Sequence, residues 1–285
     1  MIKLIKYLLQ SLLIFLFLII GRIIGIFLSR KIFSVIFLFL GPLFKSKKIF
    51  RKNINIYSNA ISKNEIDKII KNMWKNYGMT FIEYIFFNFF RKNNSHINII
   101  NENYLIDIDK KNKPVVFVSG HFANYELMSM EITKKNIKLA TIYRPLNNIF
   151  LNPLMEYLRK KYVCKNQIQK GISGVREAIE YIKKNYSIAL MIDQRVSEGE
   201  KIKFFNNMAL TTTLPAQLAM KYNLEIIPVF IERINENKFN IEFYKPINPN
   251  HFENKIKLTE KLNNVLETMI VRNPSQWIWT HNRWK

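Results

Sequence analysis

Cysteine occurs once, at Cys164, so the chain has no intrachain disulfide and no cysteine-based zinc site, and it suits a reducing compartment. Histidine is nearly as scarce. His96, His121, His251 and His281 show neither HExxH spacing nor a clustered ligand pattern, which speaks against a metal centre and leaves no cofactor indicated. No G-x-S-x-G, P-loop or G-x-G-x-x-G segment is present, so a serine nucleophile, ATP and NAD have no motif here. Acids are absent from the first 64 residues: eleven Lys or Arg precede Glu65.

Basic residues are abundant. The 285 residues carry 44 Lys plus Arg against 21 acids, a formal charge of +23 that favours polyanionic surroundings. The early basic residues flank apolar runs, whereas an arm for nucleic acid is polar throughout. The pattern therefore points to an anionic membrane rather than nucleic acid. Lys, Asn and Ile are all frequent, and a compositional bias towards them is the plainer source of part of the charge.

Tyr7–Gly21 is uncharged over fifteen residues, about 22 Å as a helix and short for a hydrocarbon core of roughly 30 Å, and continuation past Arg22 lengthens it. A second apolar run, Ile32–Phe44, follows at once, and Gly41-Pro42 is expected to end it. No small-residue cleavage motif follows the first run, which favours an uncleaved anchor over a signal peptide. Residues 1–44 thus form an expected anchor and interfacial segment, and residues 45–285 a catalytic domain. Lys45, Lys47, Lys48, Arg51 and Lys52 put the basic excess after the apolar runs, which by the positive-inside rule leaves that domain in the cytoplasm.

Residues 63–91 read as an amphipathic helix whose aromatic run faces a core. Buried strands are expected at 114–119, 138–143, 187–193 and 225–231, separated by helical patterns, with 239–244 as the hairpin partner of 225–231. The alternation implies an α/β fold with a mixed, largely parallel central sheet flanked by helices.

The strand at 114–119 runs into Gly120 and His121, the place where open α/β sheets gather ligand and catalytic residues. Glu126 stands five positions after His121. On a regular helix that spacing separates two side chains by well over a quarter-turn, so they meet only if His121 lies in the preceding loop. A carboxylate there would fix the imidazole tautomer and leave the other nitrogen to take a proton from an alcohol. The plainer reading is a loop histidine with an acid complementing a helix start.

SGHFANYELM at 119–128 resembles the histidine–acid motif of the lipid A late acyltransferases, the lauroyl and myristoyl transferases of lipopolysaccharide synthesis. IYRPLNN at 142–148, MIDQRV at 191–196 with KFFNNMALTTT at 203–213, EIIPVF at 225–230 and QWIWTHNRWK at 276–285 resemble the same family in the same order. The family usually has glycine and tryptophan where Ala123 and Tyr125 stand, and FFG where this chain has Phe204-Phe205-Asn206.

The resemblance implies a glycerolipid-acyltransferase-like fold and transfer of a fatty acyl group from acyl carrier protein to a hydroxyl of a lipid A precursor at the inner membrane. It implies His121 as general base oriented by Glu126, with no covalent intermediate, metal or cofactor. Asn124, Arg144, Asn147, Asn148, Arg159, Gly171, Asp193 and Gln194 are then the substrate-binding candidates. Arg144 suits an anionic head group, Arg144, Arg159 or N–H groups near Gly171 suit an oxyanion, and Asp193 suits positioning of Arg144 or substrate. For Trp277, Trp279 and Trp284, an interfacial belt and closure of a core are both open. The alternatives are another glycolipid or glycerolipid acceptor, and a non-enzymatic, membrane-anchored basic binding protein.

Overall fold

A computed structural model describes residues 2–44, 47–57 and 61–285. Of the expected basic stretch, Lys45 lies outside the described residues. The chain begins with two apolar helices, α1 (Ile2–Ile24) and α2 (Ile26–Phe44). Both are long and apolar enough to cross a membrane, which is weak evidence for anchoring. They part at Gly25, whose φ of +81° lies in the left-handed region that glycine enters freely. Phe17 and Phe33, eight residues to either side of Gly25, touch edge-on with ring centroids 5.7 Å apart. In one continuous helix those positions would stand about 24 Å apart, so the pair folds back as a hairpin.

The expected stop at Gly41-Pro42 is displaced: α2 continues to Phe44, with Pro42 in its last turn. A proline so close to a helix end deletes one hydrogen bond of a turn that is already fraying. Next come α3 (Lys47–Tyr57) and α4 (Lys63–Glu83). Ser62 caps α4 in a reciprocal pair with Glu65, each satisfying a backbone N–H of the other. α2 lies along α4 with Ile26, Arg30 and Phe33 buried, positions spaced to share one helical face. The approach is close at Gly78, where an added Cβ would stand 2.0 Å from the carbonyl oxygen of Phe33.

After a short 3-10 turn come α5 (Phe87–Lys92), β1 (Ile97–Ile100), α6 (Asn103–Lys111) and β2 (Val116–Ser119). Phe86, Phe87 and Phe90 are buried, so the aromatic run faces the core as expected. The chain continues through α7 (Glu126–Lys134), β3 (Leu139–Tyr143), α8 (Asn152–Leu158), β4 (Asn166–Gln169), α9 (Ile172–Lys183) and β5 (Ser187–Met191). A hairpin of β6 (Glu200–Phe204) and β7 (Asn207–Thr211) follows, then α10 (Leu214–Tyr222), β8 (Ile226–Asn235), β9 (Lys238–Phe243) and α11 (Lys255–Arg272).

Seven strands form one sheet in the order β1-β9-β8-β2-β5-β3-β4, parallel throughout except for the antiparallel β8–β9 pair. Every residue of β2 is buried, as a central strand covered by helices on both faces requires. The mixed, mostly parallel α/β sheet and the β8–β9 hairpin match the sequence reading. β1, β4 and the β6–β7 hairpin do not appear in it. Asn166-Gln167-Ile168-Gln169 in β4 has a single apolar residue, because an edge strand buries little. β6 and β7 turn through Phe205 and Asn206, both left-handed at φ +49° and +56°. Asparagine tolerates that region better than most residues, and it occupies the place where the family pattern has glycine.

Gly78→Ala is expected to cost about 1–3 kcal/mol by forcing α4 away from α2. The check is thermal unfolding in detergent, where an unchanged midpoint would show that the helices do not meet this closely.

Candidate active site

β2 and β5 pair in parallel with Ser119 opposite Met191. His121 and Asp193 are each two residues beyond those ends, so the register sets them face to face at the carboxyl edge of the sheet. Asp193 Oδ1 lies 2.7 Å from His121 Nδ1, and its Oδ2 accepts from the backbone N–H of His121 at 2.9 Å and from Trp277 Nε1 at 2.9 Å. The carboxylate is buried. Burial alone would raise its pKa, but the neighbouring imidazole and the hydrogen bonds from His121 and Trp277 outweigh it and hold the group down at about 2. An ionised acceptor on Nδ1 selects the tautomer that carries its proton there, which leaves Nε2 as the basic nitrogen.

Glu126 does not serve His121. Its Oε1 accepts from Arg159 Nε at 2.8 Å and from the Tyr84 hydroxyl at 3.0 Å, and Arg159 Nη2 lies 2.6 Å away. The expected histidine–glutamate contact is therefore replaced by a histidine–aspartate contact. The reason is direction: His121 turns along the sheet edge towards β5, whereas Glu126, opening α7, faces α4 and the end of α8. Arg159 is buried at the start of a π-helical turn, Arg159–Val163, and is not on a solvated face. Burial opposes its charge, but Glu126 and the tyrosines keep the guanidinium firmly protonated. Tyr84 lies 3.2 Å from the Tyr125 hydroxyl, and the Tyr125 ring meets the His121 ring edge-on at 4.7 Å. Burial, then the charge of Glu126, raises both phenols, so both stay protonated.

Two cavities share this centre. One, of 380 Å³, is almost wholly apolar and runs between the helical hairpin and the elements that follow it, with Ile14, Leu18, Phe37, Phe81 and Leu154 in its wall. The other, of 520 Å³, is the more polar of the two, with polar and apolar surface in equal parts, and opens over the ends of β3, β4 and β5, lined by Arg144, Asn147, Gln194 and Thr212 among others. His121, Tyr125, Leu146 and Arg159 line both.

The expected binding residues divide accordingly. Arg144, Asn147, Arg159 and Gln194 line the polar cavity. Asp193 contacts neither cavity and instead holds the histidine. Asn124 is fully buried and donates to Glu83 at 2.9 Å, so it fixes the loop rather than a ligand. Asn148 spends its amide on helix α1, donating to the Tyr7 carbonyl at 3.0 Å and accepting from Ser11 at 3.0 Å. Gly171 lies outside both cavities and starts α9 with φ +145°. Trp277, Trp279 and Trp284 are buried, which decides for a closed core over an interfacial belt.

A second buried carboxylate supports the loop from behind. Glu83 accepts from Arg30 Nε at 2.7 Å, from Arg233 at 2.6 and 3.0 Å, and from Asn124. Burial opposes its ionisation, and the two arginines with their hydrogen bonds override that, holding the group below the ordinary carboxylate value. Thr80 donates to the Ala123 carbonyl at 3.1 Å, and the Ala123 N–H donates to Gln276 at 3.0 Å. These bonds fix Ala123 at φ +42°, where the family pattern has glycine.

The model of the bacterial lipid A biosynthesis acyltransferase family matches residues 2–285. The chain belongs to that family. A search of curated proteins finds no match. Among solved structures, the 1-acyl-sn-glycerophosphate acyltransferase of Thermotoga maritima is similar at 14% identity and a TM-score of 0.43, covering 89% of this chain and 96% of that one. In this member of the family, HFANYE, the segment that resembles the family's histidine–acid motif, lies at the junction of the apolar and polar cavities. Asp193, Trp277, Tyr84 and Glu83 do not stand out as partners of that motif in the sequence. Only Asp193 left a signal there, as an acid two residues beyond a strand that ends level with β2.

Asp193→Asn is expected to reduce acyl transfer by about 10³-fold or more, since an amide no longer enforces the Nδ1–H tautomer. Glu126→Gln should cost less, through Arg159. Equal loss in the two variants, measured as kcat, would return the orienting role to Glu126. Because the folded pKa of Asp193 is depressed, its stabilising contribution is complete above the unfolded value near 3.8 and is lost as pH falls towards about 2. In acid unfolding, that part of the pH dependence should disappear in Asp193→Asn. Ala123→Gly should relax left-handed strain on the order of 1 kcal/mol, read as a higher unfolding midpoint.

Proposed function

We propose that this acyltransferase moves a fatty acyl chain from acyl carrier protein to a hydroxyl of a lipid A precursor, with His121 as the general base. The observation that carries the reading is the place of His121: an imidazole oriented through Nδ1 by Asp193, in the wall of both an acyl-sized apolar cavity and a polar one. The apolar cavity suits the fatty chain, and the polar cavity suits a sugar head group. Nε2 takes the proton of the acceptor hydroxyl as its oxygen attacks the thioester carbonyl. Collapse of the tetrahedral intermediate expels the carrier's thiolate, which recovers that proton from the imidazolium. The ester forms, the thioester breaks, and no acyl-enzyme is required.

Arg159 suits the developing oxyanion. Its Nε and Nη2 are held by Glu126, so the guanidinium is fixed before the charge appears. Cys164 is not a competing nucleophile, because burial pushes its thiol to about 11.

The helical hairpin fits the role of anchor, with Leu9, Leu12, Leu16 and Ile19 among the apolar side chains it exposes. The basic residues after it favour the inner membrane with the catalytic domain on the cytoplasmic face. Ile14, Leu18 and Phe37 belong to that hairpin and also line the apolar cavity, so the acyl chain would lie between anchor and catalytic domain.

The experiment is transfer of a labelled acyl group from acyl carrier protein to a tetra-acylated lipid A precursor by wild type and His121→Ala. Transfer by wild type and loss of about 10³-fold or more in the variant are expected. Transfer only to a glycerolipid would give the acceptor to that class instead. Leu18→Trp should shift preference to shorter acyl donors by filling the apolar cavity; an unchanged chain-length profile would place the acyl chain elsewhere.

A further inference from the structure

Three of the four arginines buried among the described residues are matched with acids, Arg30 and Arg233 with Glu83 and Arg159 with Glu126, while Arg283 bonds to the Leu210 carbonyl and the Thr211 hydroxyl. The polar cavity holds two further basic side chains with no acid matched to them. Arg144 is the first residue past β3, and Lys170 is the first past β4. β3 and β4 run parallel with Tyr143 opposite Gln169, so the register sets the two basic residues side by side at the strand ends. The backbone N–H of Lys170 donates to the Tyr143 carbonyl at 2.8 Å, which carries the pairing one residue beyond the ladder. Both residues line the polar cavity and are exposed at its rim.

Neither side chain makes an ion pair with a described acid. Like charges held opposite each other on adjacent strands destabilise a sheet, and a bound anion reverses the sign of that interaction. The Lys170 ammonium is held below the ordinary lysine value by partial desolvation at the rim and then by the Arg144 charge, with Glu198 offsetting part of it. Gln167, Gln194 and Thr212 supply further polar groups along the same cavity.

We propose that Arg144 and Lys170 together bind a phosphate group of the substrate, deepening the acyl-transfer reading on which this site depends. The guanidinium presents paired N–H donors to two phosphate oxygens, and the ammonium adds a second charge from the neighbouring strand. A phosphate dianion neutralises both cations, whereas a carboxylate would leave one uncompensated. His121 lines the same cavity, so a phosphate held at the rim would orient the rest of the head group towards Nε2. The phosphate has two chemical sources: a sugar phosphate monoester on the acceptor, whose dianion matches both cations, or the phosphodiester of the donor's pantetheine arm, a monoanion that shares one charge between them.

The test uses the full-length protein in detergent and the variants Lys170→Met, Arg144→Met and Lys170→Arg. Each methionine variant is expected to raise KM by about 10- to 100-fold for the phosphate-bearing substrate, with a far smaller fall in kcat, and Lys170→Arg to recover most of the loss. On an acceptor stripped of phosphate, the wild type should show the raised KM and the variants should add nothing, which assigns the site to the acceptor. A penalty that persists there but vanishes with an acyl-thioester donor lacking the phosphopantetheine arm assigns it to the donor and also upholds the anion site. A penalty of equal size on every substrate, or none, overturns it. Should the wild type transfer no acyl group, the activity reading fails by itself. The site is then judged by calorimetric titration of inorganic pyrophosphate: binding at least about tenfold weaker in Lys170→Met upholds it, and equal binding by both proteins, or none by the wild type, overturns it.

Discussion

The carboxylate of Asp193 organises the active centre. It is buried, ionised, and saturated by three donors: two from His121 and one from Trp277. An unpaired carboxylate at that depth would be costly, so the loop after β2 and the C-terminal segment carrying Trp277 are both drawn onto it. Orientation of His121 and closure of the core are therefore one interaction. The aromatic packing of Trp277 against Phe204, Trp279 and Trp284 gives the indole a fixed position from which to donate.

Glu83 plays the matching part on the opposite side of the loop, and it brings the apolar hairpin into the same system. Arg30 belongs to α2, Arg233 to β8, and Asn124 to the family motif; all three meet on one carboxylate. Here the hairpin forms a wall of the apolar cavity, and its Arg30 meets the carboxylate that also holds Asn124 of the loop carrying His121. The apolar hairpin and the α/β sheet with its helices are packed together, and the close contact of α2 with α4 at Gly78 reflects that.

A parallel sheet places chemistry by register. Residues one or two positions past paired strand ends meet at its carboxyl edge, whatever their separation along the chain. His121 and Asp193 are 72 positions apart and in contact. Arg144 and Lys170 are brought side by side by the same rule. Glu126, only five positions from His121, is instead carried away by the start of α7 and serves Arg159. Closeness in sequence was the misleading guide to the histidine's partner.

Much of the protein was legible in its residues alone, because local chemistry decides it. Uninterrupted apolar runs announce the hairpin helices, β-rich runs ending in glycine or an acid announce β2 and β5, and HFANYE marks the loop that carries His121. Periodicity and propensity act over a few residues, so such features survive being read in isolation. The edge strands β1 and β4 were silent because short strands at a sheet margin bury too little to impose an apolar pattern. The identity of the carboxylate facing His121, the loop-supporting role of Asn124, the capture of Asn148 by α1 and the burial of the tryptophans were settled only by tertiary structure. Each depends on which strand pairs with which and in what register, and that follows from packing summed over the whole core rather than from any local stretch of sequence.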